Sequence, residues 1–118
     1  MTTRKLKRSF CLGLAALLLV VTTGGEAASL TGNAWVIDGD TFALGKARIR
    51  LWGIDAPERA TPAGEASRQF LIGLLSSKTV FCEDMGQRSY GRIVARCYLP
   101  DGEDIARILV NAGHAHDW

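Results

Sequence analysis

The alternation of apolar and polar residues predicts five short strands in the chain after position 28. Apolar residues alternate with arginines between positions 47 and 52, which is the period of a strand with one buried face. Two apolar runs, 33–37 and 41–44, flank an Asp-Gly pair, the strongest short signal for a hairpin. These three strands form a meander that curls readily. The last two predicted strands cover 79–83 and 93–99, joined by a polar, glycine-bearing loop at 84–92.

Two amphipathic helices are predicted beside these strands. Thr61 is a typical N-cap residue, and Pro62 suits the first helical position, where a missing N–H does no harm. The buried face predicted for this helix, which would close one end of a small barrel, consists of Ala66, Phe70, Leu71, Leu74 and Leu75. The second helix is predicted to follow Asp104 as its N-cap and to end at Gly113. Its predicted buried residues are Ile105, Ile108, Leu109 and Ala112.

The first 28 residues have the pattern of a secretory signal peptide. Basic residues between positions 4 and 8 precede an apolar run from Phe10 to Val21. This run is shorter than the roughly 20 apolar residues that a membrane span requires. Small residues at Ala27 and Ala28 offer a cleavage site. We therefore expect an exported protein, periplasmic or secreted, with one domain at 29–118 and no membrane contact after cleavage; an uncleaved anchor is the alternative.

Removal of this segment changes the charge balance of the protein. The full chain has 14 basic and 12 acidic side chains, and residues 29–118 retain 10 and 11 of them. A protein that holds nucleic acid by phosphate neutralisation alone is expected to carry a clear positive excess. The arginines near the acidic motifs are Arg48, Arg50, Arg59, Arg88 and Arg92. Local concentration of charge suits an anionic substrate that is bound transiently, although Arg48 and Arg59 are expected to be solvated.

Two acidic turns carry the candidate chemistry. The hairpin turn at 38–39 needs one aspartate, yet Asp40 follows it directly. Asp55 and Glu58 flank Pro57 beyond the end of a predicted strand, which indicates a rigid loop because proline restricts the backbone. Together, Asp40 and Asp55 offer hard oxygen ligands to a divalent cation, with Glu58 as a base. The alternative for Asp55 and Glu58 is that they only prepare the start of the next helix.

Three motifs, in this order, resemble the staphylococcal nuclease (thermonuclease) family. They are Val36-Ile37-Asp38-Gly39-Asp40-Thr41, Arg50-Leu51 with Ile54-Asp55-Ala56-Pro57-Glu58, and Tyr90-Gly91-Arg92. The resemblance runs from about position 35 to about position 115. It implies an α+β fold, mainly β, with a five-stranded OB-type barrel and two helices. It also implies a monomeric, calcium-dependent phosphodiesterase that cleaves DNA and RNA, leaves 3′-phosphate ends and has no stable protein partner.

The resemblance also implies a role for individual residues. The implied calcium ligands are Asp40, Asp55 and the main-chain carbonyl of Ala56. The implied catalytic residues are Glu58, as the general base, and the phosphate-binding pair Arg50 and Arg92; Tyr90 is the implied substrate contact. In two respects the sequence departs from the family: the further C-terminal helix of the family is expected to be missing, since the sequence given stops at Trp118, and Ser89 stands where a basic residue often contacts phosphate. We therefore expect weaker substrate binding than is usual in the family. The alternative to a nuclease is a non-catalytic OB-type module that binds nucleic acid.

Cys82 and Cys97 are the cysteines that remain after signal cleavage. They lie nearly symmetrically about the centre of the predicted hairpin loop, as cross-strand neighbours do, and export permits their oxidation. The sequence therefore predicts a disulfide between them. Closing a loop of about 15 residues stabilises a fold by roughly 3 kcal/mol.

Overall fold

The computed structural model describes residues 29–118, so the predicted signal peptide lies outside the described residues. Within this part of the chain, the strands are β1 (Ser29–Asp38), β2 (Thr41–Leu44), β3 (Ala47–Leu51), β4 (Ile54–Asp55), β5 (Thr79–Ser89), β6 (Arg92–Tyr98) and β7 (His116–Asp117). The helices are α1 (Pro62–Leu75) and α2 (Ile105–Asn111). Neither helix is long and apolar enough to cross a membrane.

Five strands close into a barrel in the order β1-β2-β3-β6-β5. All neighbouring pairs are antiparallel except β3 and β6, which run parallel. The largest fully buried apolar side chains are Phe42, Ile49, Leu51, Leu71, Ile105, Leu109 and Val80, which come from strands and from both helices. The structure therefore confirms the expected fold, a mainly β, five-stranded barrel with two helices.

Both helices begin as predicted, but the buried face of each differs in detail. The Thr61 hydroxyl accepts a hydrogen bond from the Gly64 N–H at 3.0 Å and caps α1, with Pro62 as its first residue. The Asp104 carboxylate accepts one from the Ala106 N–H at 3.0 Å and caps α2. The predictions that Ala66 and Ala112 are buried were wrong, since both are exposed. The fully buried residues of α1 are Gly64, Ser67, Leu71 and Leu75.

The predicted loop at 84–92 is mostly strand. β5 continues to Ser89, and the turn consists of Tyr90 and Gly91, which both have positive φ, at 51° and 80°. The strand pairing shifts register between Asp84 and Gln87. Residues 86–88, in the part of β5 next to the turn, are exposed, so this part of the strand has no buried apolar face. The period-2 pattern that identifies a half-buried strand is therefore missing from the sequence there.

Two short strands were not predicted. Asp55, which we expected in a loop, lies in β4, and this strand pairs with β7 in the registers Ile54 to Asp117 and Asp55 to His116. β1 begins at residue 29 instead of 33, because its first half pairs with β5. β3 ends at Leu51, one residue earlier than predicted. The pairing of β4 with β7 joins only two residues of each of two distant segments, so it leaves no local pattern in the sequence.

The predicted disulfide is confirmed. Cys82 and Cys97 lie directly opposite each other on β5 and β6, and their sulfur atoms are bonded. Both residues are buried in the barrel core. The bond therefore fixes the register of β5 against β6 within the core.

Candidate active site

Five side chains from separate segments form one continuous chain of contacts beside the β1–β2 turn. The Arg92 guanidinium donates from Nη1 to Thr41 Oγ1 at 3.1 Å. Thr41 Oγ1 donates in turn to Asp40 Oδ1 at 3.1 Å. Arg50 Nη2 lies 3.6 Å from Asp40 Oδ2 and also pairs with Asp55 Oδ1. Four of the residues predicted for the site therefore meet in space, and Thr41 joins them.

Asp40 is the buried carboxylate of this chain, with 9% of the residue exposed. Its Oδ2 accepts a hydrogen bond from the Ala56 N–H at 2.8 Å, and its main-chain carbonyl accepts one from the Leu51 N–H at 2.9 Å. Burial raises the pKa of Asp40, although the Ala56 hydrogen bond and the charge of Arg50 act in the opposite direction. The fold therefore places the Asp40 carboxylate where water solvates its negative charge poorly.

Arg50 is held in place by main-chain acceptors. Its Nη1 donates to the carbonyl oxygens of Leu51 and Ile54, each at 2.8 Å. Together with the bond from Nη2 to Asp55, these contacts use three of the five guanidinium N–H groups. The Arg50 side chain is 12% exposed. Arg50 therefore has a fixed position between the two carboxylates, with two N–H groups that make none of these hydrogen bonds.

Asp55 is the exposed carboxylate of the pair, with 63% of its side chain accessible. Its main chain is fixed by the pairing of β4 with β7. The Trp118 N–H adds a hydrogen bond to the Gly53 carbonyl at 2.9 Å, just before β4. The last residues of the chain thus position Asp55 and the loop whose carbonyls hold Arg50.

Glu58 follows Pro57 and is exposed. Its main-chain carbonyl accepts hydrogen bonds from the Thr61 N–H at 3.0 Å and from the Thr61 hydroxyl at 2.6 Å. The main chain of Glu58, and not its carboxylate, therefore serves the start of α1. Among residues 29–118, no ion pair of the Glu58 carboxylate is present. The Glu58 main chain thus takes part in the start of α1, and the role of its carboxylate stays a prediction.

Arg92 is held at the base of the β5–β6 turn. Its Nε donates to the Ser89 carbonyl at 2.9 Å, and its Nη2 donates to the Ser89 hydroxyl, also at 2.9 Å. Its guanidinium carbon lies 6.0 Å from the centroid of the Tyr90 ring, which is 93% exposed. Ser89 therefore orients Arg92. Arg88, in contrast, pairs with Asp84 at 3.1 Å, and both residues lie on β5. Arg88 does not belong to the chain of contacts.

Two structural contributions were missed in the sequence. Thr41 links Arg92 to Asp40, but a threonine after an acidic turn carries no distinguishing signal. Gly39 was attributed to its turn alone, yet a β-carbon at this position would lie 2.2 Å from Ser67 Oγ and 2.8 Å from the Ala56 β-carbon. The glycine therefore allows the Asp40 turn to approach both α1 and the Ala56 main chain.

Most of the described part of the chain matches one known protein family. The family described as "Staphylococcal nuclease homologue" matches residues 48–117, which include Arg50, Asp55, Glu58 and Arg92. The chain belongs to this family. Members that match this chain include proteins named endonuclease and staphylococcal-like nuclease.

Three relatives are similar to this chain over only part of their own length. Succinoglycan biosynthesis protein ExoI of Rhizobium meliloti (strain 1021) is 36% identical over 113 residues, which cover 86% of this chain and 59% of that protein. An Escherichia coli protein described as an uncharacterized endonuclease is 38% identical over 84 residues, covering 68% and 55%. Probable staphylococcal-like nuclease CAN1 of Oryza sativa subsp. japonica is 34% identical over 77 residues, covering 65% and 23%. The chain thus spans a little over half the length of the first two.

The carboxylate oxygens of the site are donors of the type that hard cations prefer. The carboxylates of Asp40 and Asp55 converge on the same nitrogen of Arg50. Each carboxylate oxygen has two lone pairs, so the hydrogen bonds to Asp40 leave acceptor capacity. No group of three or more His, Cys, Asp or Glu side chains able to hold a metal ion is found within residues 29–118. Two carboxylates and a main-chain carbonyl would therefore leave most of the six to eight calcium ligands to water and substrate oxygens.

Proposed function

We propose that this protein is an exported, calcium-dependent nuclease that hydrolyses phosphodiester bonds of DNA and RNA and leaves 3′-phosphate ends. The observation that carries the proposal is the continuous chain of contacts from Arg92 through Thr41, Asp40 and Arg50 to Asp55. It brings two arginines and two carboxylates together, and Glu58 follows Asp55 by three residues in the sequence. A binding module that holds nucleic acid has no need for a partly buried carboxylate next to its phosphate-binding groups, because the carboxylate repels phosphate.

The two arginines would bind the scissile phosphate. Attack on a phosphodiester increases the negative charge on oxygens that are already anionic, so donors must be in place where that charge grows. Arg50 and Arg92 are each held by hydrogen bonds within the protein and retain further N–H groups. A planar guanidinium can contact two phosphate oxygens at once, which an ammonium group cannot do.

Asp40, Asp55 and the main-chain carbonyl of Ala56 would hold calcium. The bound ion would supply positive charge next to the phosphate. A cation also removes a cost that the protein otherwise carries, because Asp40 is buried and its pKa is raised by that burial. Asp55 is exposed and can turn towards the ion from its fixed main chain.

Glu58 would activate the attacking water. Its carboxylate takes a proton from water as the oxygen attacks phosphorus, in line with the 5′ oxygen of the departing nucleotide. The bond between phosphorus and that 5′ oxygen breaks, and the leaving oxygen takes up a proton from solvent. The phosphate then stays on the 3′ oxygen of the upstream nucleotide.

The proposal is tested by cleavage of fluorescently labelled single-stranded DNA and RNA in calcium, followed by excess chelator. We expect cleavage that stops with chelation, and mass spectrometry should show fragments that carry a 3′-phosphate. Asp40→Ala should lose both activity and calcium binding, whereas Arg48→Ala, at an exposed arginine outside the chain of contacts, should retain both. Cleavage that continues undiminished in chelator contradicts the calcium requirement. Binding without any cleavage favours the module alternative.

Export is tested separately by the mass of the protein recovered from expressing cells. We expect a mature form that begins near residue 28 and is found outside the cytoplasm. A full-length protein that stays in the cytoplasm would contradict this part of the proposal and would leave the catalytic part standing.

A further inference from the structure

A groove runs between β1 and α1, on the side of the barrel that this helix covers. We call it the β1–α1 groove; the residues used below to describe it are Asn33, Trp35, Arg68, Ile72 and Ser76. Its volume is about 370 Å³. This volume lies in the range of ligand-binding clefts, roughly 300–1,000 Å³. The catalytic chain of contacts uses none of these residues.

The groove leads away from the candidate active site. α1 begins just after Glu58, and its Ser67 fits against Gly39 at the end of β1. At the far end, the Asn33 side chain donates to the Lys78 carbonyl at 3.1 Å, beyond the end of the helix. Helix and strand therefore run antiparallel from the site outwards. From Ser67 to Leu75, the last residue of α1, the helical rise gives ~12 Å, or between about three and four nucleotides at the ~3.4 Å spacing of a stacked strand.

Trp35 offers an aromatic surface on one wall of this groove. The residue is 77% exposed, although tryptophan is usually largely buried in monomers. It lies on β1 opposite Ala43, and its exposed neighbours along that face are Thr31 and Asn33. An exposed indole at the wall of a groove is an adequate platform for a stacked base.

Arg68 supplies the charge on the opposite wall. Its Nη1 pairs with Glu65 Oε2 at 3.1 Å, and Gln69 binds the same oxygen at 2.9 Å. Within residues 29–118, the buried Nε of Arg68 has no hydrogen-bond partner. The pairing with Glu65 cancels much of the local charge, so a ligand here would gain about one phosphate contact and would depend mainly on stacking.

We propose that the β1–α1 groove binds single-stranded nucleic acid that extends from the active site, with a base on Trp35 and a phosphate on Arg68. This inference rests on the proposed function, because the strand would be the nuclease's own substrate. Stacking on an indole requires an unpaired base, which excludes an intact duplex. The groove thus makes longer single strands better substrates than very short ones.

Binding without catalysis tests this inference independently of nuclease activity. Fluorescence anisotropy in excess chelator would compare labelled oligothymidylates of two and eight nucleotides. We expect the wild type to bind the longer strand more tightly. Trp35→Ala should weaken binding of the longer strand about 5- to 150-fold, which corresponds to ~1–3 kcal/mol for one stacked base, and should leave the shorter strand unaffected. Arg68→Ala should reduce the slope of log K against log salt by about one.

Phe81→Ala is the matched control, because Phe81 is also an exposed aromatic residue, 43% accessible, but lies on β5. Phe81→Ala should leave the affinity for both the shorter and the longer strand unchanged. Trp35→Phe should restore part of the binding that Trp35→Ala loses. Equal affinity of the wild type for both lengths, or an unchanged affinity of Trp35→Ala for the longer strand, would overturn the inference.

The two proposals can fail separately. A protein that binds strands in the length-dependent and Trp35-dependent manner, yet never cleaves them, would disprove the nuclease and keep the groove. A protein that cleaves both lengths with the same kcat/KM in wild type and Trp35→Ala would keep the nuclease and disprove the groove.

Discussion

The carbonyl oxygen of Glu58 lies against the Cα of Gly64, so that a β-carbon on residue 64 would sit 1.8 Å from this oxygen. The first turn of α1 thereby holds the main chain of the proposed base. Gly64→Ala should shift this segment, because both partners are backbone and neither can move alone. We expect a loss of about 1–3 kcal/mol in the free energy of unfolding, the usual cost of overpacking, with a lower kcat. Denaturant unfolding and turnover measure both effects.

Gly73→Ala is the control for this prediction. Gly73 lies in the same helix, and a β-carbon there would meet no atom within 4 Å. The substitution should stabilise the protein by about 0.5–1 kcal/mol, because alanine favours helix over glycine, with unchanged turnover. Equal effects of the two substitutions would show that the contact between Glu58 and Gly64 is unimportant.

Thr41 should position Arg92 through its hydroxyl group. A guanidinium only donates and a carboxylate only accepts, so the hydroxyl must accept from Arg92 and donate to Asp40. Thr41→Val keeps the shape but can do neither, and it leaves buried polar groups without a partner. We expect a loss of about 1–3 kcal/mol in stability and at least a tenfold lower kcat.

Thr41→Ser retains the hydroxyl and should restore most of the turnover that Thr41→Val loses. Kinetics at saturating substrate, with calcium affinity measured in parallel, separate this role from metal binding. If the valine variant turned over at the wild-type rate, the link between Asp40 and Arg92 would have no part in catalysis.

Asp40 should reduce stability at neutral pH in the metal-free protein. Burial raises the pKa of Asp40 in the folded state, so the folded protein binds this proton more tightly than the unfolded chain does. The unfolding free energy therefore falls as the pH rises from about 4 through the raised pKa. Asp40→Asn removes this titration. Asparagine also loses one of the two acceptor oxygens of Asp40, so the test is the pH dependence: without metal, the melting temperature of the variant relative to wild type should rise between about pH 4 and pH 7.

Asp84→Asn provides a control of opposite sign. The hydrogen bond from Arg88 lowers the pKa of Asp84, so this carboxylate stabilises the fold above its unfolded pKa and loses that effect as the pH falls. The Asp84 variant should therefore melt below wild type at pH 7. A melting temperature of Asp40→Asn that falls relative to wild type between about pH 4 and pH 7, in the direction of the Asp84 control, would contradict the assigned cost of burying Asp40.

The sequence predicted those parts of the fold and site that depend on local patterns. Thr61 and Pro62 marked the start of α1, and the Asp-Gly turn placed Asp40. The contacts of Thr41 and Gly64 could not be predicted, because each depends on a partner that only the folded chain brings close. The pairing of Asp55 with His116 was missed for the same reason, since it joins segments about 60 residues apart.

The disulfide should contribute a large share of the stability of this small domain. Replacing Cys82 and Cys97 together by alanine should lower the free energy of unfolding by roughly 3 kcal/mol, the value for a loop of about 15 residues. Urea unfolding with and without reductant measures the effect. Reductant should destabilise the wild type and leave the double variant unchanged. The same stability for both proteins without reductant would disprove this contribution.

The most direct test of the account is the turnover of Glu58→Gln, measured together with its melting temperature and calcium affinity. The Glu58 carbonyl supports the start of α1, and the substitution leaves this carbonyl in place. We expect kcat to fall by ~10²–10⁴, the usual contribution of a positioned base, while stability changes by less than about 1 kcal/mol and calcium binding is retained. A variant that turns over near the wild-type rate would contradict the role of Glu58 as the base and, with it, the proposed mechanism.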